Sequence, residues 1–268
     1  MPRSHKQSSR PTILATALRL VYLVVLVAVF YIVYSVAFRR VFAGNGILVS
    51  LLVLWLISAY VLLPRVHRWF SRIYVPNYYI GRVRTYDGLL GDPINLALYG
   101  SEKELVTAME QAGWTRAEEL SWKSTLKMIH SSVFKKSYPA APVSSLFLFN
   151  NKQDIAFQIE VDNNPHKRHH VRFWKTPKGW WLPGGYQADW LGAATYDRRV
   201  GFSTLTWQIT HKIAENVDEE RDFVISTLKQ SKQTKKVDVV EHFTTGYHDI
   251  NGGGDRISTD GSLPFIYL

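Results

Sequence analysis

Cysteine is absent from all 268 residues of this chain. Its absence excludes disulfide bonds, thiolate nucleophiles and zinc sites built from cysteine. Carboxylates, imidazoles and hydroxyls must therefore carry any chemistry. Hydrophobic residues make up 46% of the chain, which indicates a folded protein with one sizeable domain and accessory segments.

Acidic residues are missing from residues 1–84, a region with eleven Arg and Lys residues. The remainder holds 21 basic and 22 acidic residues, so the net charge of +10 arises in the first third of the chain. A nucleic-acid-binding domain usually carries its positive charge on its folded part, as a stripe with interleaved aromatic residues. We therefore expect no nucleic-acid partner.

Two uncharged stretches, Leu20–Phe38 and Ile47–Leu63, lie within this basic region. The first has the length of a helix that spans a bilayer, and the second is slightly shorter. A second hydrophobic run so soon after the first argues against a cleaved signal peptide. Four basic residues precede the pair, three follow it and two lie between, which predicts that both termini are cytoplasmic.

The chain is therefore predicted to be a two-pass protein of the bacterial cytoplasmic membrane. A basic tail (1–19) precedes a transmembrane hairpin with its basic flank (20–72), a juxtamembrane connector (73–91) and a cytoplasmic domain (92–268). The run from 64 to 84 is rich in basic and aromatic residues, which suit the lipid headgroup layer. It fits either an ordinary flank or a specific lipid contact.

The main domain has the pattern of a strand-rich α+β fold. Ser101 and Glu104 form a capping box that predicts a helix ending at Gly113. A second helix is predicted around Trp122–Val133, and a third after Asp218 as its N-cap. Alternating apolar residues predict several strands, including RHHVRFW (168–174), WLGAATYD (190–197) and ITHKI (209–213).

Eight short motifs follow one another in an order typical of one family. They are NLALYGSEKEL, GW, YPAAPVSSLFLF, RHHVRFW, WLGAATYDRRVGF, ITHKI, DEERDF and NGGGDRISTDG. Over residues 92–268 the chain resembles the LssY C-terminal-domain family of bacterial membrane-associated proteins. The resemblance implies a membrane location, often beside phosphatase-like or other multi-span segments, but no particular activity.

This chain departs from the family pattern in its membrane segment, a simple predicted hairpin, and near ITHKI. The signature of lipid-phosphate phosphatases is also absent, so their activity is not carried over. Near ITHKI the family more often has a second histidine and an Asp-Pro pair, whereas this chain has Lys212 and residues 214–216 (AEN). If the missing groups are ligands, the site is impaired here.

Strand alternation places three ionisable side chains on faces that carry apolar neighbours. These candidate catalytic residues are His169, His211 and Asp197. They are predicted to satisfy one another as a structural network, a general-base pair or part of a metal site. No metal-binding spacing selects the last alternative, and the cofactor is left unknown.

The opposite face of the same strand indicates a second candidate site, for an anionic ligand. Guanidinium groups match phosphate and carboxylate bidentately, and a helix N-terminus adds backbone donors. The candidate ligand-binding residues are Arg168, His170, Arg172, Arg198, Arg199 and Arg221. Of these, His170 and Arg172 are predicted to face the surface, where an anion can reach them. The alternative is that these arginines pair with acidic residues on a solvated surface.

The glycine-rich segment NGGGDRISTDG lacks the ending of a phosphate-binding loop and is interpreted as a tight turn. The alternative is a cation site at Asp249, Asp255 and Asp260, whose spacing is not that of an EF-hand. Three function classes remain. The first is a membrane-anchored domain that binds a phosphate- or carboxylate-bearing ligand at the membrane surface. The second is a hydrolase of a phospholipid-like or polyprenyl-phosphate substrate, with His169 or His211 as base and Asp197 orienting it. The third is a non-catalytic scaffold whose partners are membrane lipids and other membrane proteins.

Overall fold

The computed structural model describes scattered positions between 24 and 39, then residues 47–74, 81–119, 121, 122, 124, 127, 137–162 and 164–268. The chain divides into two compact units, residues 1–62 and residues 63–268.

Helix α1 (Ile47–Ile57) continues through a π-helical turn (Ser58–Leu62). Within the described residues, one helix, Ile47–Arg68, is long and apolar enough to cross a membrane. The first predicted span, Leu20–Phe38, falls largely outside the described residues. The structure therefore supports one candidate span rather than the predicted pair of helices.

The second unit is a mixed, strand-rich α+β domain, as the sequence predicts. Its helices are α2 (Leu63–Tyr74), α3 (Glu102–Gln111) and α4 (Val217–Gln230). Its strands are β1 (Arg82–Thr85), β2 (Leu90–Pro93), β3 (Leu96–Tyr99), β4 (Thr115–Arg116), β5 (Leu146–Leu148), β6 (Asn151–Lys152), β7 (Ile155–Val161), β8 (Asn164–Lys175), β9 (Trp190–Phe202), β10 (Ile209–Ile213), β11 (Lys236–Val240), β12 (Tyr247–Ile250), β13 (Arg256–Thr259) and β14 (Leu263–Tyr267).

A large sheet forms the centre of this unit, with strand order β11-β14-β3-β9-β8-β7-β4. Strand β10 pairs with the far end of β9, which is 13 residues long and therefore reaches past β3. Pairing is antiparallel except between β14 and β3. A smaller sheet has the order β2-β1-β5-β6, and β12 pairs with β13.

Apolar cores cover both faces of the large sheet. On one face Val171 and Phe173 pack with residues of α3 and α4, including Leu105 and Leu228. On the other face Trp174, Leu191 and Ala193 pack with Val83, Leu146 and Leu148 of the smaller sheet. Because neither face of the long strands is simply solvated, alternation in β8 and β9 cannot separate a core side from a solvent side.

Local capping is partly as predicted. The Ser101 side chain accepts the Glu104 backbone N–H while Glu104 accepts that of Ser101, which confirms the capping box at α3. At α4 the N-cap is Asn216 rather than the predicted Asp218, because the Asn216 side chain accepts the Asp218 backbone N–H. The predicted helix at Trp122–Val133 lies mostly outside the described residues.

Candidate functional site

His169 faces the helices and not the other two candidate catalytic residues. It lies opposite Tyr196 in the sheet, stacks on Phe223 at 4.0 Å and places Nδ1 2.7 Å from Glu220 Oε2. The predicted contact of His169 with Asp197 is therefore wrong. The reason is register: Arg168 pairs with Asp197 and His170 with Thr195, so Asp197 shares a face with the even-numbered residues of β8.

His170 replaces His169 beside Asp197. The Asp197 Oδ2 atom lies 2.8 Å from His170 Nε2 and 3.0 Å from His211 Nδ1. His170 is buried, which corrects its prediction as a surface-facing residue, because the smaller sheet and its loops cover this side. His211 is more exposed than His170, so one imidazole is enclosed and the other lies nearer solvent.

Burial and contact act in opposite directions on this cluster. Burial raises the pKa of Asp197, but the contacts with His170 and His211 outweigh it and hold that pKa well below its usual range. Burial lowers the pKa of His170 more than Asp197 raises it. The arrangement thus combines an ionised carboxylate with an uncharged, enclosed imidazole.

The imidazole contacts have the distance of hydrogen bonds but not their alignment. Within the described part of the chain, both ring nitrogens of His170 and Nδ1 of His211 are buried without a hydrogen bond of good geometry. Buried polar atoms of a purely structural network are normally satisfied. This cluster therefore differs from a completed structural network.

A cavity of about 540 Å³ adjoins the cluster. It lies between the large sheet, strands β1, β2 and β5, and the loops at 142–144 and 251–255. Its polar lining combines three histidines, two arginines and three carboxylates. They are His166, His170, His211, Arg168, Arg172, Asp92, Asp197 and Asp255. The volume is that of a site for a small molecule.

The two arginines of the cavity differ in how well they are bound. Arg168 donates to Glu160 at 2.9 Å and to Gln158 at 3.3 Å. Arg172 is equally buried, yet its guanidinium contacts are the Asp92 carboxylate at 3.7 Å and the Ser144 hydroxyl at 3.4 Å. Charge-assisted hydrogen bonds to carboxylates are normally 2.7–2.9 Å long. Arg172 is thus a buried cation with long contacts.

The other predicted basic residues lie elsewhere. Arg198 and Arg199 are exposed on β9, where Arg198 donates to the carbonyl of Ile213. Arg221 is buried against Asp218, Asp222 and Asp260, and these carboxylates raise its pKa above the usual value. The structure therefore assembles Arg168, His170 and Arg172 and leaves the remaining three outside the cavity lining.

Sequence reasoning missed Asp92, which comes from β2 of the smaller sheet. It is buried, and this burial raises its pKa more than Arg172 and Asn251 lower it. Asp92 and Asp197 therefore line one cavity with pKa values displaced in opposite directions, a property of acid and base pairs. In the sequence, Asp92 is a charged residue shortly before an apolar strand. That pattern is too common to identify it as a site residue.

The glycine-rich loop forms one wall of the cavity, and its tight turn is confirmed. The Asn251 side chain accepts the backbone N–H groups of Gly253 and Asp255, both at 2.9 Å. Lys212 fastens the loop to β10 by contacts with Gly253 O at 2.9 Å and Asp255 Oδ1 at 3.0 Å. Asp249, which precedes the glycine-rich loop, pairs with Arg82 of β1. The departure at Lys212 thus has a structural role in this chain.

No group of three or more His, Asp or Glu residues among the described positions has the arrangement of a metal site. The chemistry that the residues themselves supply is proton transfer at His211, held by Asp197, and charge recognition by Arg172.

Comparison with known proteins gives one match. No curated protein and no solved structure matches the chain significantly. The family model described as "LssY C-terminus" matches residues 72–263, which is well over half of the chain. The protein therefore belongs to the LssY C-terminal-domain family.

Proposed function

We propose that the cavity binds the phosphate or carboxylate group of a small anionic ligand at the membrane surface. The observation that carries this proposal is the state of Arg172. It is a buried guanidinium with five N–H donors whose nearest charged partner, among the residues that the structure describes, lies 3.7 Å away. An anion placed between Arg172 and Ser144 satisfies donors that the protein leaves poorly bound.

The carboxylates of the cavity do not oppose such a ligand strongly, because each has its own compensation. Asp197 contacts two imidazoles, and Asp255 contacts the ammonium group of Lys212. Burial raises the pKa of Asp92, which favours its neutral form. Arg172 is then the charged group available to an incoming anion.

Thermal unfolding of the full chain in detergent, with inorganic phosphate as the probe, tests the proposal. At ten times its dissociation constant, a ligand stabilises the folded state by about 1.4 kcal/mol, or about 3–6 °C for a domain of this size. Arg172→Met removes contacts worth about 1.5–3 kcal/mol, so we expect it to weaken phosphate binding roughly 10- to 100-fold.

Arg256→Gln is the matched control. Arg256 is exposed and lies outside the cavity lining, so this variant removes one positive charge without touching the site. Equal phosphate affinity in the wild type and in Arg172→Met, or equal losses in both variants, would reject the assignment to Arg172.

A second candidate function is hydrolysis of a phospholipid-like or polyprenyl-phosphate substrate. The observation that favours it is the half-exposed His211 with Nδ1 on Asp197, the pairing that orients a general base. His169 is less suited, since it lies on the helix side with Glu220. Phosphate release from liposomes containing phosphatidic acid or a polyprenyl phosphate is the assay. We expect His211→Gln to lower that rate by about 10²–10⁴-fold while phosphate affinity persists.

We further propose that Leu20–Phe38 forms a second span and that the domain faces the cytoplasm. The support is the flanking charge and the candidate span at Ile47–Arg68. Because the chain has no cysteine, Lys178→Cys creates a single labelling site on an exposed turn. A membrane-impermeant maleimide should label this variant in broken cells and not in cells with an intact inner membrane.

A further inference from the structure

The turn between β9 and β10, residues 202–209 (the hairpin tip), exposes an unusual amount of apolar surface. Four large side chains are exposed there, each by more than a third. They are Phe202 (62%), Leu205 (39%), Trp207 (55%) and Ile209 (54%). Scattered apolar residues are normal on surfaces, whereas a contiguous group of this size marks a contact site for protein or membrane.

The backbone of the hairpin tip is well ordered by hydrogen bonds. The buried Ser203 hydroxyl accepts the N–H groups of Leu205 and Thr206, at 3.3 and 3.1 Å. The backbone N–H of Trp207 donates to Ser203 O at 3.0 Å. Trp207 also adopts a left-handed φ of 59°, which is uncommon for a residue with a side chain. The exposed tryptophan is therefore held outward by a defined turn.

The glycine-rich loop packs against the hairpin tip, with Gly254 next to Thr204. A Cβ atom at Gly254 would lie 1.9 Å from the Thr204 hydroxyl oxygen, so only glycine permits this close approach. Lys212 in turn fixes the loop to β10 through Gly253 and Asp255. The fold thus uses a glycine and a buried ion pair to keep an apolar turn in one position.

The hairpin tip contacts helix α2 within the second unit. His67 Nε2 lies 2.8 Å from the carbonyl oxygen of Leu205, and His67 belongs to the Ile47–Arg68 helix. The adjoining surface is basic, because Arg65 on α2 and Arg198 and Arg199 on β9 are exposed. Apolar side chains with flanking arginines suit the headgroup region of an anionic leaflet, which attracts basic residues electrostatically.

We propose that the hairpin tip is a second membrane-contacting element, which dips into the headgroup region of the bilayer. Its partner is the lipid bilayer and not a second copy of the chain. The same hairpin supplies part of the cavity lining, through Val200, Ile209 and His211. When the hairpin tip enters the bilayer, these three cavity-lining residues come close to the lipid headgroups. The anion that reaches Arg172 then belongs to a lipid. This last consequence rests on the proposed function, whereas the membrane contact does not.

Single-cysteine labelling of the full chain in liposomes tests the contact, since the protein has no native cysteine. An environment-sensitive fluorophore (NBD) is attached at Trp207→Cys and, as the matched control, at Val239→Cys. Val239 is equally exposed, at 56%, but lies on β11 at the edge of the large sheet. Leu205→Cys provides a second position on the hairpin tip if Trp207→Cys fails to fold by circular dichroism.

The label on the hairpin tip should emit at shorter wavelength than the label at 239. Lipids that carry a doxyl quencher near the headgroup should quench it more strongly, consistent with a depth of roughly 5–10 Å. Equal emission and equal quenching at the two positions would overturn the proposal. So would a blue shift that doxyl lipids do not quench and that disappears when the protein is diluted into excess lipid, which indicates a second copy. Neither reading depends on phosphate binding, so failure of the proposed function remains distinguishable.

Discussion

Replacing Asp197 by asparagine tests whether folding stabilises the buried carboxylate. The variant keeps the size of the side chain and removes the charge that two imidazoles contact. A carboxyl group whose pKa is lowered on folding contributes stability at every pH above its unfolded pKa of about 3.9, and loses it as pH falls through the folded pKa. At neutral pH the whole contribution is therefore present in the wild type and absent in the variant.

The expected loss follows from the surroundings of each contact. The contact between Asp197 and His170 is enclosed, so solvent does not weaken its contribution to stability. The side chain of His211 is 36% exposed, so solvent screening reduces the contribution of its contact with Asp197. Exchanging a charged acceptor for a neutral one beside a buried donor costs about 1–2 kcal/mol. For a domain of this size that lowers the unfolding midpoint by about 2–8 °C.

The assay is thermal unfolding at pH 7 in detergent, followed by the fluorescence of the nine tryptophans. Asp238→Asn is the control, because Asp238 pairs with Lys236 on the surface and such pairs contribute at most about 1 kcal/mol. If Asp197→Asn unfolds no earlier than Asp238→Asn, or unfolds later than the wild type, the stabilised carboxylate is refuted.

Three further predictions concern the surroundings of the cavity. Burial lowers the pKa of His170 in the folded protein, whereas the unfolded chain keeps the usual histidine pKa of about 6.5. Below about pH 6.5 the unfolded chain therefore binds a proton at His170 that the folded protein does not bind. Stability should fall by up to about 2 kcal/mol between pH 7 and pH 5 and fall less in His170→Gln, as measured by denaturant unfolding at each pH. Gly254→Ala should destabilise the domain by about 1–3 kcal/mol or more, because the φ of Gly254 is +77° and Thr204 leaves no room for a Cβ atom. Gly253→Ala is the control and should destabilise the domain less in the same assay. His169→Gln should lower the melting temperature without changing phosphate affinity, because His169 faces the helices; a parallel loss of affinity would contradict its placement.

The sequence predicted the strand-rich α+β class and the helix capped by Ser101 because these depend on local patterns. Alternation along β8 and β9 also separated His169 from His170 correctly. It could not tell which of them meets Asp197, because that depends on the register between the two strands. Nor could it show that the smaller sheet covers the second face, which is why His170 and Arg172 are buried and not surface-facing.

The composition of the cavity was likewise beyond local reasoning. Asp92 and Ser144 precede the β8 strand by many residues and reach Arg172 through the packing of the smaller sheet on the large one. Arg221 seemed to belong with the other arginines because a helix N-terminus attracts anions. In the structure, the guanidinium group of Arg221 forms ion pairs with its sequence neighbours Asp218 and Asp222. Long-range packing therefore decides the case of Arg172, whereas carboxylates that adjoin Arg221 in the sequence decide the case of Arg221.

Native mass spectrometry of the full chain, released from its own membranes in detergent, tests the central claim most directly. Wild type and Arg172→Met are compared, so that lipids held by the membrane span cancel between the two spectra. The cavity assignment predicts one phosphate- or carboxylate-bearing ligand per chain in the wild type and its loss in Arg172→Met. Identical ligand occupancy in both proteins, or no such ligand in either, would contradict it.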